Sequence, residues 1–154
     1  PLKNWHDNLL KNRKCHIDFS CIYSESNIEL DFLVSLNKID LSTINKFSAL
    51  DAYQNRRNEK KKIIKVKTLS LNDLLLKYDT PKSFDYLSID TEGSEYEILN
   101  AFNFKKYNPT VITVEHNYNY NNTNQIKKLL SKNNYFQDFE IFSQQDLWFY
   151  NKSL

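Results

Sequence analysis

The sequence predicts an α/β fold: a mostly parallel sheet with a C-terminal antiparallel hairpin and an extra N-terminal β-hairpin. Three observations carry this. Between residues 63 and 132 stretches of strand pattern alternate with stretches of helical period, the arrangement of βαβ units. Residues 111–114, Val-Ile-Thr-Val, are apolar and β-branched, as expected of a strand covered on both faces of a parallel sheet. The chain has 154 residues, 40% of them hydrophobic, enough for one core and too few for two, so a single domain spanning residues 1–154 is expected.

Taken in order, Leu2, Trp5 and Leu9 fall at i, i+3 and i+7 and predict a short helix ending at residues 12–14. In residues 15–23 and 28–34 apolar positions alternate, with Ser24, Glu25, Ser26 and Asn27 between them, the pattern of a hairpin with one buried face per strand. Residues 35–62 keep no period and end in a charge run, which predicts a long loop or lid. A strand follows over residues 63–68. Ser70 then caps a helix carrying Leu71, Leu74, Leu75 and Tyr78 on one face, and Pro81 ends it.

Residues 86–89 read as a short strand. Ser94 with Glu97 three residues later forms a capping-box pattern for a helix with Ile98, Leu99 and Phe102 inward. After the strand at 111–114 a helix is expected over 123–132, with Ile126, Leu129 and Leu130 inward. Residues 139–142 and 147–150, joined by residues 143–146, predict the terminal antiparallel pair.

Composition removes several function classes. Gly93 is the only glycine, against roughly 11 at a typical usage, so the chain holds no glycine-rich phosphate cradle. Basic and acidic residues number 21 and 19, a net charge of +2, too balanced for the field that drives nucleic-acid binding. No apolar run reaches the ~18 residues of a membrane span. Cys15 and Cys21, six apart on one predicted strand, lie beyond disulfide reach and read as core thiols of a reducing, cytoplasmic compartment. His6 and His16 read as structural, and no cysteine or histidine spacing supports a zinc site. The chain has no methionine and opens at Pro1 inside a helical pattern, which predicts a segment of a longer protein.

The chemistry concentrates at two strand ends. One predicted strand runs into Asp90, Thr91, Glu92 and Gly93, the next into Glu115, His116 and Asn117. In an open α/β sheet ligands bind outside the carboxyl ends of the strands, and adjacent parallel strands bring these clusters together. Carboxylates beside an imidazole can share a proton, hold a divalent cation or deprotonate a hydroxyl. Asp51, Arg56 and Arg57 in the predicted lid could close over a polar substrate. Trp148, Tyr118 and Tyr120 could form a stacking wall. No serine sits on a glycine-flanked elbow, so a serine hydrolase is not expected.

Three blocks then stand in order: VKTLSLNDLL at 66–75, FDYLSIDTEGSEYEIL at 84–99 and VITVEHN at 111–117. Together they resemble the second half of an FkbM-type S-adenosylmethionine-dependent methyltransferase, and residues 4–34 also look like a segment of that family. The resemblance implies a partial Rossmann-like, class I methyltransferase sheet and methyl transfer to a hydroxyl of a sugar or natural product. It places Asp90, Glu92 and His116 as catalytic residues, with His116 or Asp90 as base and Glu92 as orienter or cation ligand. Glu115, Asn117 and Gly93 then line the substrate side, with a small-molecule or saccharide acceptor as partner. The family's glycine-rich cofactor loop is missing from the sequence. The chain is therefore expected to be the C-terminal part of such an enzyme, inactive alone and prone to self-association. Two alternatives remain: a metal-dependent glycosyltransferase using Asp90 and Glu92, and a non-catalytic interaction domain.

Overall fold

A computed structural model describes residues 1–142 and 144–152. A 3-10 turn at Lys3–Trp5 leads into helix α1 (His6–Asn12), followed by strands β1 (Cys21–Tyr23) and β2 (Glu29–Ser35). Then come β3 (Thr43–Ile44), α2 (Gln54–Asn58), β4 (Lys61–Ser70) and α3 (Leu71–Lys77). The remainder comprises β5 (Ser83–Ile89), α4 (Glu95–Ala101), β6 (Asn108–Glu115), α5 (Tyr120–Lys132), β7 (Tyr135–Asp138) and β8 (Asp146–Asn151). No helix among the described residues is long and apolar enough to cross a membrane.

The strands form two four-stranded sheets, in the orders β1-β4-β2-β3 and β5-β6-β8-β7. Each contains one parallel pair, β1 with β4 and β5 with β6, and the other pairings are antiparallel. The architecture is α/β as expected, but the sheets are mixed where a mostly parallel one was predicted.

The predicted N-terminal hairpin does not form, because β4 lies between its two arms. Ten residues long, β4 pairs antiparallel with β2 along its first part and parallel with β1 at its end, where Cys21 faces Thr68. The turn between β1 and β2 is tied to β4 instead of closing a hairpin. The amide of Ile28 and the carbonyl of Glu25 both bond the Thr68 hydroxyl, and Asn27 N donates to the Thr68 carbonyl. Residues 15–20 make no ladder. Asp18 turns back to accept from Ser20 N at 2.8 Å and from Lys77 Nζ at 2.7 Å, and His16 stacks on Tyr78. Cys15 is accordingly exposed, and only Cys21 is a core thiol.

Residues 35–62 are not a structureless loop. They supply β3, two 3-10 turns and α2, and they bury Phe47 and Arg57. Their lack of period reflects anchoring by single residues in place of a repeating apolar face.

In the second sheet α4 crosses from β5 to β6, and α4 and α5 pack with the sheet through Ile98, Leu99, Ile112, Val114, Ile126 and Leu130, each at most 1% exposed. The terminal antiparallel pair exists, but its first strand is β7, upstream of residues 139–142. Tyr135 anchors β7, buried at 2% and donating its hydroxyl to the Pro109 carbonyl at 2.8 Å. Ile141 and Phe142, whose apolar character predicted the strand, are 92% and 82% exposed. Ser143, in the predicted connection, lies outside the described residues.

Candidate active site

Strands β5 and β6 run parallel with Ile89 opposite Val114, so the segments that follow them leave the sheet side by side. Asp90, Glu92 and Glu115 each bring a carboxylate oxygen within 4.8 Å of the others. Asn117 bridges two of them, its Nδ2 donating to Glu92 Oε2 at 3.2 Å and to Glu115 Oε2 at 2.9 Å. The convergence predicted from the sequence is thus formed for Asp90, Glu92, Glu115 and Asn117.

Sharp turns achieve this. Glu92, Gly93, Asn117 and Tyr118 all have positive φ, from 45° to 120°, and the first turn is held from below by a side chain that sequence reading missed. Glu95, 1% exposed, accepts from Thr91 N, Thr91 Oγ1 and Gly93 N at 2.9–3.0 Å. Burial raises its pKa, and these bonds pull in the opposite direction. The Ser94–Glu97 capping box does not form: Ser94 makes no cap bond to the helix and donates to the Thr91 hydroxyl. Glu95 ties down the turn that precedes α4 and does not replace that cap.

The segment between β2 and β4 clamps both turns from above. Arg57, fully buried, makes a bidentate pair with Asp51 at 2.8 and 3.0 Å and reaches Glu92 Oε2 with Nη2 at 2.8 Å. Its Nε donates to the Leu41 carbonyl at 2.7 Å. Thr43 Oγ1 donates to the Glu92 carbonyl at 2.6 Å, and Ala52 N to the Asn117 carbonyl at 3.3 Å. The sequence had named Asp51 and Arg57 only as candidates for closing over substrate. The structure makes them a buried pair holding the cleft wall.

Between the clamp, the first sheet and the carboxylates lies a cleft of about 660 Å³. Asp90, Glu92, Glu115 and Asn117 line it together with Tyr53, Arg56, Phe32 and Ile22. Gln145 Nε2 donates to the Tyr53 hydroxyl at 2.8 Å, joining the clamp to the start of β8. His116 is not among the described residues lining the cleft. Its backbone N donates to Gln145 O, its Nδ1 accepts from Tyr118 N at 3.1 Å, and burial lowers its pKa. Trp148 and the tyrosines at 118 and 120 also lie outside the cleft lining. Gly93 is set back from it, against Phe47.

Crowding sets the protonation of the cluster. Burial raises Glu115, and contact with Asp90 and the charges of Asp90 and Glu92 raise it further. Burial pushes Glu92 from 4.5 up to about 7 against the pull of Arg57. A native pKa above the unfolded one means that the folded state binds the proton more tightly. The stability so gained is complete below pH 4.5 and is lost as pH rises through about 7. In metal-free buffer the urea midpoint should therefore fall across this window, and Glu92→Gln should flatten the fall. A midpoint that rises there would refute the assignment.

The methyltransferase FkbM domain is the family whose model matches the chain, over residues 1–136. Neither the curated proteins nor the solved structures give a match. The matched span contains both turns of the cleft, the clamp and Glu95, and on this match the chain belongs to the FkbM methyltransferase domain family.

Proposed function

We propose that this chain provides the acceptor side of an S-adenosylmethionine-dependent O-methyl transfer, its cleft receiving a hydroxyl of a sugar or natural product. The observation supporting the reading most directly is the meeting of Asp90 and Glu115 at adjacent strand ends on the floor of an open cleft. Asp90 is the exposed member of the cluster and is assigned as the base that takes the hydroxyl proton. Glu92, fixed by Arg57 and Asn117, and Glu115, fixed by Asn117, orient the acceptor by accepting its neighbouring hydroxyls. Gly93 makes room for Phe47 behind the turn, and His116 holds the second turn, which leaves Asp90 as the preferred base.

The donor is another matter. A methyl-sulfonium donor supplies an electrophilic carbon, so the protein's tasks are alignment and proton removal. The residues present do not fit the whole of S-adenosylmethionine. Gly93 is the sole glycine, and a Cβ there would lie 2.9 Å from Phe47 Cβ, so no glycine-rich turn is available to approach the adenosine and methionine.

Asp90→Asn tests the reading in the protein that carries this domain, assayed for methyl transfer to a panel of polyols and glycosides. Loss of a general base removes typically 10²–10⁴-fold in rate, so kcat should fall within that range while the circular dichroism spectrum is unchanged. Wild-type turnover in the variant would overturn the role of Asp90. The glycosyltransferase and interaction-domain alternatives have no observation in their favour beyond the acidic cluster itself.

A further inference from the structure

We propose that the face of the second sheet turned away from α4 and α5 is a homodimer interface, on which a second copy of this chain docks with its β8 antiparallel to the first. Side chains alternate between the two faces of a strand. Leu87, Ile112 and Phe149 belong to the core shared with the helices, so Tyr86, Val111, Tyr150 and Phe136 point the other way. The strand register places these four in one row across β5, β6, β8 and β7. Trp148 stands in the next row, opposite Thr113, and Phe139 packs edge-on against its ring, 6.1 Å between centres.

Part of the polar surface here is already satisfied within the sheet. The Tyr86 hydroxyl shares a hydrogen bond with Thr113 Oγ1 at 2.6 Å, and Thr113 donates to Ser88 Oγ at 3.2 Å. Tyr86 thus reaches across to β6 and offers its ring to the outside. Tyr86, Phe136, Phe139, Trp148 and Tyr150 nevertheless stay 37–55% exposed. At roughly 200 Å² for each such side chain, this leaves on the order of 450 Å² of aromatic surface open. Together with Val111 and the charged rim, the face comes near the ~800 Å² that one partner contributes to a standard interface.

Charge selects the occupant. Along β8 the outward positions read Asp146, Trp148 and Tyr150, followed just past its end by Lys152. The Lys152 ammonium lies 4.6 Å from the centre of the Phe136 ring, on this same face. Asp146 and Lys152 form no ion pair among the described residues. An acid, two aromatics and a base in that order are complementary to the same string reversed. Two identical sheets packed face to face are related by a two-fold axis lying between them. With that axis across β8, between Trp148 and Tyr150, each Asp146 meets Lys152 of the second copy and the aromatic rings interdigitate. With the axis along β8, Asp146 would face Asp146 and Lys152 would face Lys152, a juxtaposition that like-charge repulsion disfavours. The face therefore carries its own complement. The inference does not rest on the methyl-transfer reading.

The test is sedimentation equilibrium of the protein that carries this domain, over the micromolar range, where a monomer–dimer equilibrium is expected. Trp148→Lys and Tyr150→Lys, both at exposed positions, should each weaken it roughly tenfold or more, as loss of a central aromatic anchor does, with the circular dichroism spectrum unchanged. Asp146→Lys and Lys152→Asp should each weaken the dimer several-fold, and the double reversal that combines them should restore it. A protein that stays monomeric throughout would overturn the proposal, and protection of Tyr86 and Trp148 from hydroxyl-radical labelling in that monomer would assign the face to another part of the same polypeptide. A dimer indifferent to Trp148→Lys and Tyr150→Lys would overturn it as well. A double reversal as weak as the single ones would overturn the antiparallel arrangement.

Discussion

Arg57→Ala should destabilise the protein by about 3–5 kcal/mol, the cost typical of removing one partner of a buried ion pair. Arg57 and Asp51 have side chains 0% and 3% exposed, so the substitution leaves the Asp51 carboxylate in a place where water cannot replace the guanidinium. It also strips a hydrogen bond from the carbonyls of Leu41 and Ser48 and from Glu92. The double variant Arg57→Met with Asp51→Leu should be less destabilised than Arg57→Ala alone, since it removes the buried Asp51 charge and leaves only Glu92 without its guanidinium partner. Urea unfolding of the three proteins measures this. A loss below about 1 kcal/mol for Arg57→Ala, the worth of an exposed pair, would show that the pair is solvated.

Gly93→Ala should have the next largest effect. At φ +120° an L-residue is strained, at a cost of order 1–3 kcal/mol, and the new methyl would sit 2.9 Å from Phe47 Cβ. That neighbour is attached directly to the backbone of a 3-10 turn and is 4% exposed, so it cannot swing aside. The contact is with Cβ, so Phe47→Ala should not rescue the variant, which distinguishes this clash from one with a flexible side-chain tip. Both losses should appear as a lower urea midpoint with an unchanged slope, and a midpoint equal to wild type would contradict the geometry.

The readable parts of this fold are those where a regular period decides the outcome. The helices at 95–101 and 120–132 bury Ile98, Leu99, Ile126 and Leu130 as their spacing selects, the helix at 71–77 buries Leu71 with Leu74 and Leu75 partly covered, and β5 and β6 pair as parallel neighbours. The meeting of Asp90 with Glu115 follows from that pairing, because side-by-side strands bring their carboxyl ends together. What failed was partner choice. Alternation tells which face of residues 28–34 is buried but not that β4, thirty residues on, takes the place of the adjacent strand. Arg57 stood out only as a lid residue that could close over substrate, since its burial depends on Asp51 and Glu92, which a local window cannot connect. Nothing in the local pattern singles out Glu95, and only the backward reach of its carboxylate to Thr91 and Gly93 makes it the turn's support. Residues 139–142 carried the apolar signal of a strand, yet Phe139, Ile141 and Phe142 all remain exposed.

The clamp also bears on how the cleft comes into being. Thr43 meets Glu92 across 49 residues, and Tyr53 meets Gln145 across 92. Closing spans of that length has an entropic cost that the new contacts offset only after both sheets are in place. The cleft is thus closed over late in the folding reaction, whereas Asp90 and Glu115 already meet once β5 and β6 have paired.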